Sequence, residues 1–516
     1  MTSRTVTIDP VTRIEGHMRV KTRVENGVVV DAHCSADMFR GIEKALEGYD
    51  ARAAQQVTQR VCGICPYGHA EAASLALENA MGIKPNRNGQ ILRNLIVGAY
   101  QLHDFLLHFY TLCLLDFIDI AAVLHYGGGD ADLLRLKAWV AQELDSEKVF
   151  PAAPFLPRYK GNYAEDQELN ITAIKHYMDA IPVLADLHKM VAIFGAKAPH
   201  PTAIEAGGVT TVPTAEKIGY YRTLLQRAER FVHDCYRNDV MAVGHQFKDY
   251  FQQGKGYGQL LSYAYFPDPD GKHHAFSSGV TLNGRYAPLD MQGITEEHAY
   301  SYYQDAVSGA LKPLGGDVTP IGWQEFQKER DKADGKYSWC RAPRYQGQVM
   351  EVGPAARIVN TYLSGANPKL NQLADAINQQ FGITLSDYPS VMGRHLCRYL
   401  SASLIIDMLK EQLEQVEPDK VAFVEAEVPK NAVGVGLTEA TRGSLGHWIE
   451  TDAKGRIRRY TLIVPTTWNM SPRDRAGQPG ALEKMLIGTP LKDPEHPMEL
   501  ARIIRSTDPC LACSVH

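Results

Sequence analysis

The chain has 516 residues, 45% of them apolar and 22% charged, the balance of a soluble globular protein long enough to bury a large core. Its 54 basic and 59 acidic side chains are evenly spread and leave a formal charge of −5, so no basic patch invites nucleic acid. Nine cysteines are too few and too scattered to form a disulfide framework.

The first residues, Met-Thr-Ser-Arg-Thr-Val, contain no apolar run and do not read as a signal peptide. Residues 5–33 alternate in the manner of strands, with a tight turn at Glu25-Asn26-Gly27. This small sheet carries Glu15 and His17 at its start. From Ala51 the pattern turns helical, pauses at Cys62-Gly63-Ile64-Cys65, and resumes at Pro66, a residue suited to a first helical turn.

Helical spacing then recurs over 87–125, 172–195, 214–253, 355–380 and 388–416, which predicts a bundle. The most apolar window, Asp104 to Leu124, includes His108, Asp116 and Asp119; it reads as a buried helix and not a membrane span. Connections at 149–161, 254–290 and 313–346 are rich in Gly and Pro and irregular. Strands are expected again at 422–427, 433–439 and 458–465, with Arg442 in a turn between two of them.

Two Cys-x-x-Cys pairs stand at opposite ends, Cys62/Cys65 and Cys510/Cys513. Such a turn points both sulfurs into one pocket, so two turns can enclose a soft metal. Structural zinc is the commonest occupant of four-sulfur sites, but zinc ribbons space their pairs roughly 15 to 20 residues apart. Here 445 positions separate Cys65 from Cys510. Closing a loop of that length costs on the order of 5 kcal/mol, so a folded scaffold has to bring the ends together. The chain is therefore expected to be one interlocked unit over 1–516. Cys34, Cys113, Cys235, Cys340 and Cys397 are expected to be buried thiols without a ligand role.

Arg-Ile-Glu-Gly-His at 13–17, Arg-Gly-Ile-Glu at 40–43, Arg-Val-Cys-Gly-Ile-Cys at 60–65, Thr-Arg-Gly-Ser-Leu-Gly-His at 441–447 and the closing Asp-Pro-Cys-Leu-Ala-Cys-Ser-Val-His together resemble the large subunit of group 1, uptake-type nickel-iron hydrogenases. The motifs run from residue 13 to 516. The resemblance implies an α+β fold, with a large helical bundle at its core and small sheets from both terminal segments. It also implies heterolytic, reversible cleavage of H2 at a nickel-iron centre.

By the same resemblance, Cys62 and Cys510 are terminal nickel ligands, and Cys65 and Cys513 bridge to an iron bearing carbon monoxide and cyanide. Arg442 overhangs the open metal position, held by Asp116 and Asp508. Thr441 stands where the family usually has proline, which predicts a less rigid lead-in. Glu15 corresponds to the proton gate, and His69 donates to a bridging sulfur as a tuning contact. Pro66 stands where many relatives carry a polar residue. Thr466 corresponds to a hydroxyl donor to cyanide. Glu43, His516 and the carbonyl of Leu462 match a magnesium site near the C-terminus.

In this family a protease removes a C-terminal extension after a histidine in this position, so the resemblance implies a processed form. No second cysteine cluster is present for iron-sulfur cofactors, which implies a small subunit carrying them, in a heterodimer or a dimer of heterodimers. Membrane contact would come only through partners. A partner can carry the export signal in this family, so a periplasmic or membrane-associated location is implied, with the cytoplasm as the alternative. Two rival readings stand: a carrier-reducing relative in the same superfamily, and a zinc-stabilised scaffold without catalysis.

Overall fold

The computed structural model describes residues 3–143, 161–306, 308–330, 332 and 334–516. Most of the expected connection at 149–161 thus lies outside the described residues. The N-terminal sheet is antiparallel, with strands β1 (Ser3–Ile8), β2 (Met18–Glu25) and β3 (Val28–Ala36) paired in that order. Alternation on β2 buries Met18, Val20, Thr22 and Val24. Asn26 and Gly27 take positive φ in the turn, as a tight hairpin requires.

Helix α1 (Pro66–Met81) starts directly on the second cysteine, with Cys65 as its cap and Pro66 at the first position, where a missing N–H costs nothing. Helix α2 (Arg87–Leu107) follows, and its path then changes. A wide π-type turn at His108–Cys113 and short 3-10 turns carry the chain to His125, so the expected single helix over 87–125 is broken. The bundle also includes α3 (Gln167–Gly195), α4 (Ala215–Phe231), α5 (Pro354–Ser364), α6 (Pro368–Phe381) and α7 (Val391–Leu413). The expected helix over 355–380 divides because Gly365 ends α5 in a left-handed conformation and Asn367-Pro368 opens α6.

The C-terminal sheet holds β4 (Val433–Ala440), β5 (Gly443–Thr451) and β6 (Ile457–Ile463), antiparallel in that order. Nearly every residue of β5 is buried, so it lacks the alternation that marks a strand with one wet face. The expected strand at 422–427 does not form. That segment runs extended beside Gly207–Val209, exchanging Val209 N–H to Ala422 O and Val424 N–H to Gly207 O, both at 2.9 Å. Helix α1 lies flat on β4 because Gly434 and Gly436 are bare there; a Cβ at either would meet the helix carbonyls of Ala76 or Ala72 at 2.0 Å. This packing fixes the first cysteine pair relative to the β4–β5 turn that carries Arg442.

Helix α8 (Met498–Ser506) and a final turn, α9 (Leu511–Ser514), bring the tail back into the interior. Every residue from Cys510 to His516 is buried. One core cluster includes both Val6 and Val515, so the two ends share a hydrophobic interior.

Candidate metal centre

The four sulfurs meet. Cys62 and Cys510 Sγ lie 3.3 Å apart, Cys65 and Cys513 Sγ 3.3 Å, and Cys510 and Cys513 Sγ 2.8 Å; all four fall within 4.8 Å of one another and all are buried. Cys62 Sγ also accepts the N–H groups of Ile64 (3.2 Å) and Cys65 (3.3 Å), which is how the turn aims both sulfurs inward. Hydrogen bonds from the other three thiols hold Cys62 well below the ordinary thiol range, while burial pushes Cys510 and Cys513 well above it. Four thiolates this close repel strongly in a dry interior, so a cation is required before all can ionise. The donor set fits a soft metal pair.

Glu15 is delivered to the tail by backbone pairing: its N–H donates to Pro509 O at 3.3 Å and its carbonyl accepts Leu511 N–H at 2.9 Å. Gly16 allows that approach, because a Cβ there would lie 2.8 Å from Leu511 Cβ. The carboxylate then accepts from Cys510 Sγ at 3.1 Å and from Ala512 N–H at 2.9 Å.

Arg442 donates through Nε to Asp508 O (2.8 Å) and through Nη2 to Asp508 Oδ1 (3.0 Å), while its Nη1 has no hydrogen-bond partner among the described residues. Burial opposes its charge, but Asp508 and the sulfurs of Cys510, Cys65 and Cys62 hold the guanidinium proton more tightly than usual. Asp508 thus holds the guanidinium. Asp116 makes no hydrogen bond to it and pairs elsewhere.

Asp116 Oδ1 accepts from Arg505 at 2.7 Å and from Arg13, at the other end of the Arg-Ile-Glu-Gly-His motif. Its job is to tie the Glu15 segment to α8, and despite full burial the two arginines hold its carboxyl below the usual range.

The acid on the other side of the Arg442 turn is Asp104, which accepts from Thr441 Oγ1 at 2.7 Å; Thr441 Oγ1 also lies 2.5 Å from the Tyr67 hydroxyl. Burial pushes the Asp104 carboxyl up, against the pull of Arg442 among others. The lead-in that was expected to be loose without proline is thus pinned by hydrogen bonds. Asp104 opens the same apolar window that contains Asp116, and an acid in such a run is the signal that marks it.

His69 Nε2 lies 3.7 Å from Cys513 Sγ and its Nδ1 3.1 Å from His447 Nε2. Burial lowers His69 to about 4, so it is neutral at pH 7. Thr466 Oγ1 accepts Cys510 N–H at 3.1 Å, which leaves its own hydroxyl proton free for another acceptor. Cys34, Cys113, Cys340 and Cys397 are buried as expected, and Cys235 is half-buried.

Glu43, Leu462 O and His516 do converge, but Arg341 Nη2 already lies among them, 2.9 Å from Glu43 Oε1, 2.9 Å from Leu462 O and in contact with His516 Nε2. The residues present do not fit a hard divalent cation. Arg341 sits in the irregular stretch 313–346, where no periodicity marked it.

A family model for nickel-dependent hydrogenases matches residues 40–516, and a HoxL-like model matches 5–36. The chain belongs to the nickel-dependent hydrogenase large-subunit family. The periplasmic NiFeSe hydrogenase large subunit of Desulfomicrobium baculatum is 34% identical, covering 99% of this chain and 94% of the relative. The quinone-reactive Ni/Fe-hydrogenase large chain of Wolinella succinogenes is also 34% identical, covering 100% and 96%.

Among solved structures, the Ni-Fe-Se hydrogenase of D. vulgaris Hildenborough in its as-isolated oxidized state superposes with a TM-score of 0.86 at 36% identity, over 100% of both chains. This hydrogenase large subunit is an oxidoreductase acting on H2, and its fold is the α+β fold expected from the motifs. All four sulfur positions are cysteine here. No helix among the described residues is long and apolar enough to cross a membrane.

Proposed function

We propose that the four sulfurs hold a nickel-iron pair, with Cys62 and Cys510 terminal on nickel and Cys65 and Cys513 bridging to an iron that carries carbon monoxide and cyanide. The supporting observation is the convergence of four buried sulfurs from the two chain ends, with a carboxylate 3.1 Å from one of them. When bound, such a centre acts as a Lewis acid that makes H2 acidic enough to lose a proton to a nearby base.

Cys510 Sγ is the first acceptor of that proton, and Glu15 Oε2 takes it next across 3.1 Å. The Ala512 N–H fixes the carboxylate in place for the transfer. Arg442 is a poor base, since guanidinium has a pKa above 12. Its fixed charge and its unpartnered Nη1 suit electrostatic positioning at the open metal face. Asp508 holds it there. Thr466 supplies a hydroxyl donor for a cyanide, and neutral His69 steadies Cys513.

Two electrons must leave for each H2. The chain has no second cysteine cluster, so an iron-sulfur small subunit receives them, in a heterodimer or a dimer of heterodimers. Relatives include a periplasmic and a quinone-reactive enzyme. A periplasmic or membrane-associated place, reached through that partner, suits this chain. Infrared spectroscopy with elemental analysis of the purified complex tests the reading: bands of metal-bound carbon monoxide and cyanide, with nickel present, are expected. Zinc alone, without such bands, leaves only the scaffold.

A further inference from the structure

A protein cation lies where the family resemblance called for a metal. Three acceptors from segments distant in sequence, Glu43 Oε1, Leu462 O and His516 Nε2, converge on a single nitrogen, Arg341 Nη2. Arg341 is 2% exposed, and its Nη1 stands 3.2 Å from Glu296 Oε2, so the guanidinium spans two carboxylates, Glu296 buried and Glu43 half-buried. Glu43 in turn accepts Leu462 N–H at 2.6 Å, which locks β6 to the same cluster.

Guanidinium only donates, so His516 must offer the lone pair of Nε2, and its Nδ1 proton goes to Cys513 O at 2.7 Å. That lone pair is the one a metal ion would need. A divalent cation placed among the same ligands would also face an unscreened like charge at contact distance.

We infer that Arg341 is a built-in cation that replaces a divalent metal at this site: its guanidinium ties Glu43, the carbonyl of Leu462 and His516 together and so positions the tail bearing Cys510 and Cys513. Arginine cannot be chelated or exchanged. The tail is thereby held without any dependence on a free hard cation. This inference concerns a site separate from the four sulfurs, and nickel content of the same sample reports on that other reading independently.

The experiment uses the purified complex with its partner subunit. Wild type is expected to hold no stoichiometric magnesium, calcium or manganese, and to keep its melting temperature in chelator. Arg341→Ala empties the cluster and is expected to melt about 3–5 °C lower. A cavity of about 550 Å3 opens onto Glu43 and His516, so added magnesium can reach the vacated position. The Ala variant should bind one magnesium and recover stability in millimolar Mg2+, while Arg341→Lys should melt nearer to wild type and ignore magnesium.

A wild-type complex carrying one such ion per chain, or losing stability to chelator, overturns the inference. So does an Ala variant indifferent to magnesium. Should the Ala variant fail to fold, the metal content and chelator response of wild type still decide.

Discussion

Glu15 and Cys510 are 495 residues apart in sequence, yet their Oε2 and Sγ atoms lie 3.1 Å apart and their backbones form a parallel bridge. The thiol donates to the carboxylate across that gap, and the bridge removes the freedom that would let them part.

Replacing Glu15 by Gln keeps the shape and the Ala512 contact but removes the titrating oxygen. Metal content should be unchanged, while hydrogen/deuterium exchange with solvent is lost and uptake falls about 10²- to 10⁴-fold. Full exchange in the variant would rule out the relay.

Arg442→Lys retains a positive charge but loses the planar fork that binds Asp508 twice. Uptake should drop about 10²-fold with nickel retained. Near-normal uptake at full nickel loading would show that the fork is not used.

Asp116 is held below the usual carboxyl range, so its stabilisation is present above the unfolded value near 3.9 and is lost as pH falls toward the folded one. Asp116→Asn leaves Arg505 and Arg13 short of a buried anion and should cost about 3–5 kcal/mol at pH 7. The variant should then lose less on acidification than wild type does. Melting curves at pH 7 and at pH 2.5, below the unfolded value, check both points; parallel pH profiles would mean that the pairing carries no weight.

Thr441→Val removes the donor to Asp104 without changing side-chain volume much. Leaving a buried acceptor unpaired should cost about 1–3 kcal/mol. If the bond also fixes the Arg442 turn, uptake declines alongside the melting temperature. A variant with the same melting temperature as wild type would show the bond to be idle.

Much of the site was legible because ligand chemistry is local. A Cys-x-x-Cys turn aims its sulfurs by its own backbone, Pro66 marks a helix start, and Glu15 lies inside a compact motif. Distances between distant segments were not legible. Asp116 and Asp104 are two acids in one apolar window, and only the wide turn at 108–113 decides which lies by the Arg442 turn and which pairs with Arg13 and Arg505. Strand β5 was hidden because burial on both faces erases alternation.

By itself the sequence determined the donor set, the bundle with its flanking sheets, and the need for the two ends to meet, since periodicity and metal-ligand spacing are properties of neighbouring residues. Only the tertiary structure decided which charges pair. Arg341 illustrates the reason: one arginine in an irregular connection carries no pattern, and its meaning comes from three acceptors that close packing brings to a single nitrogen.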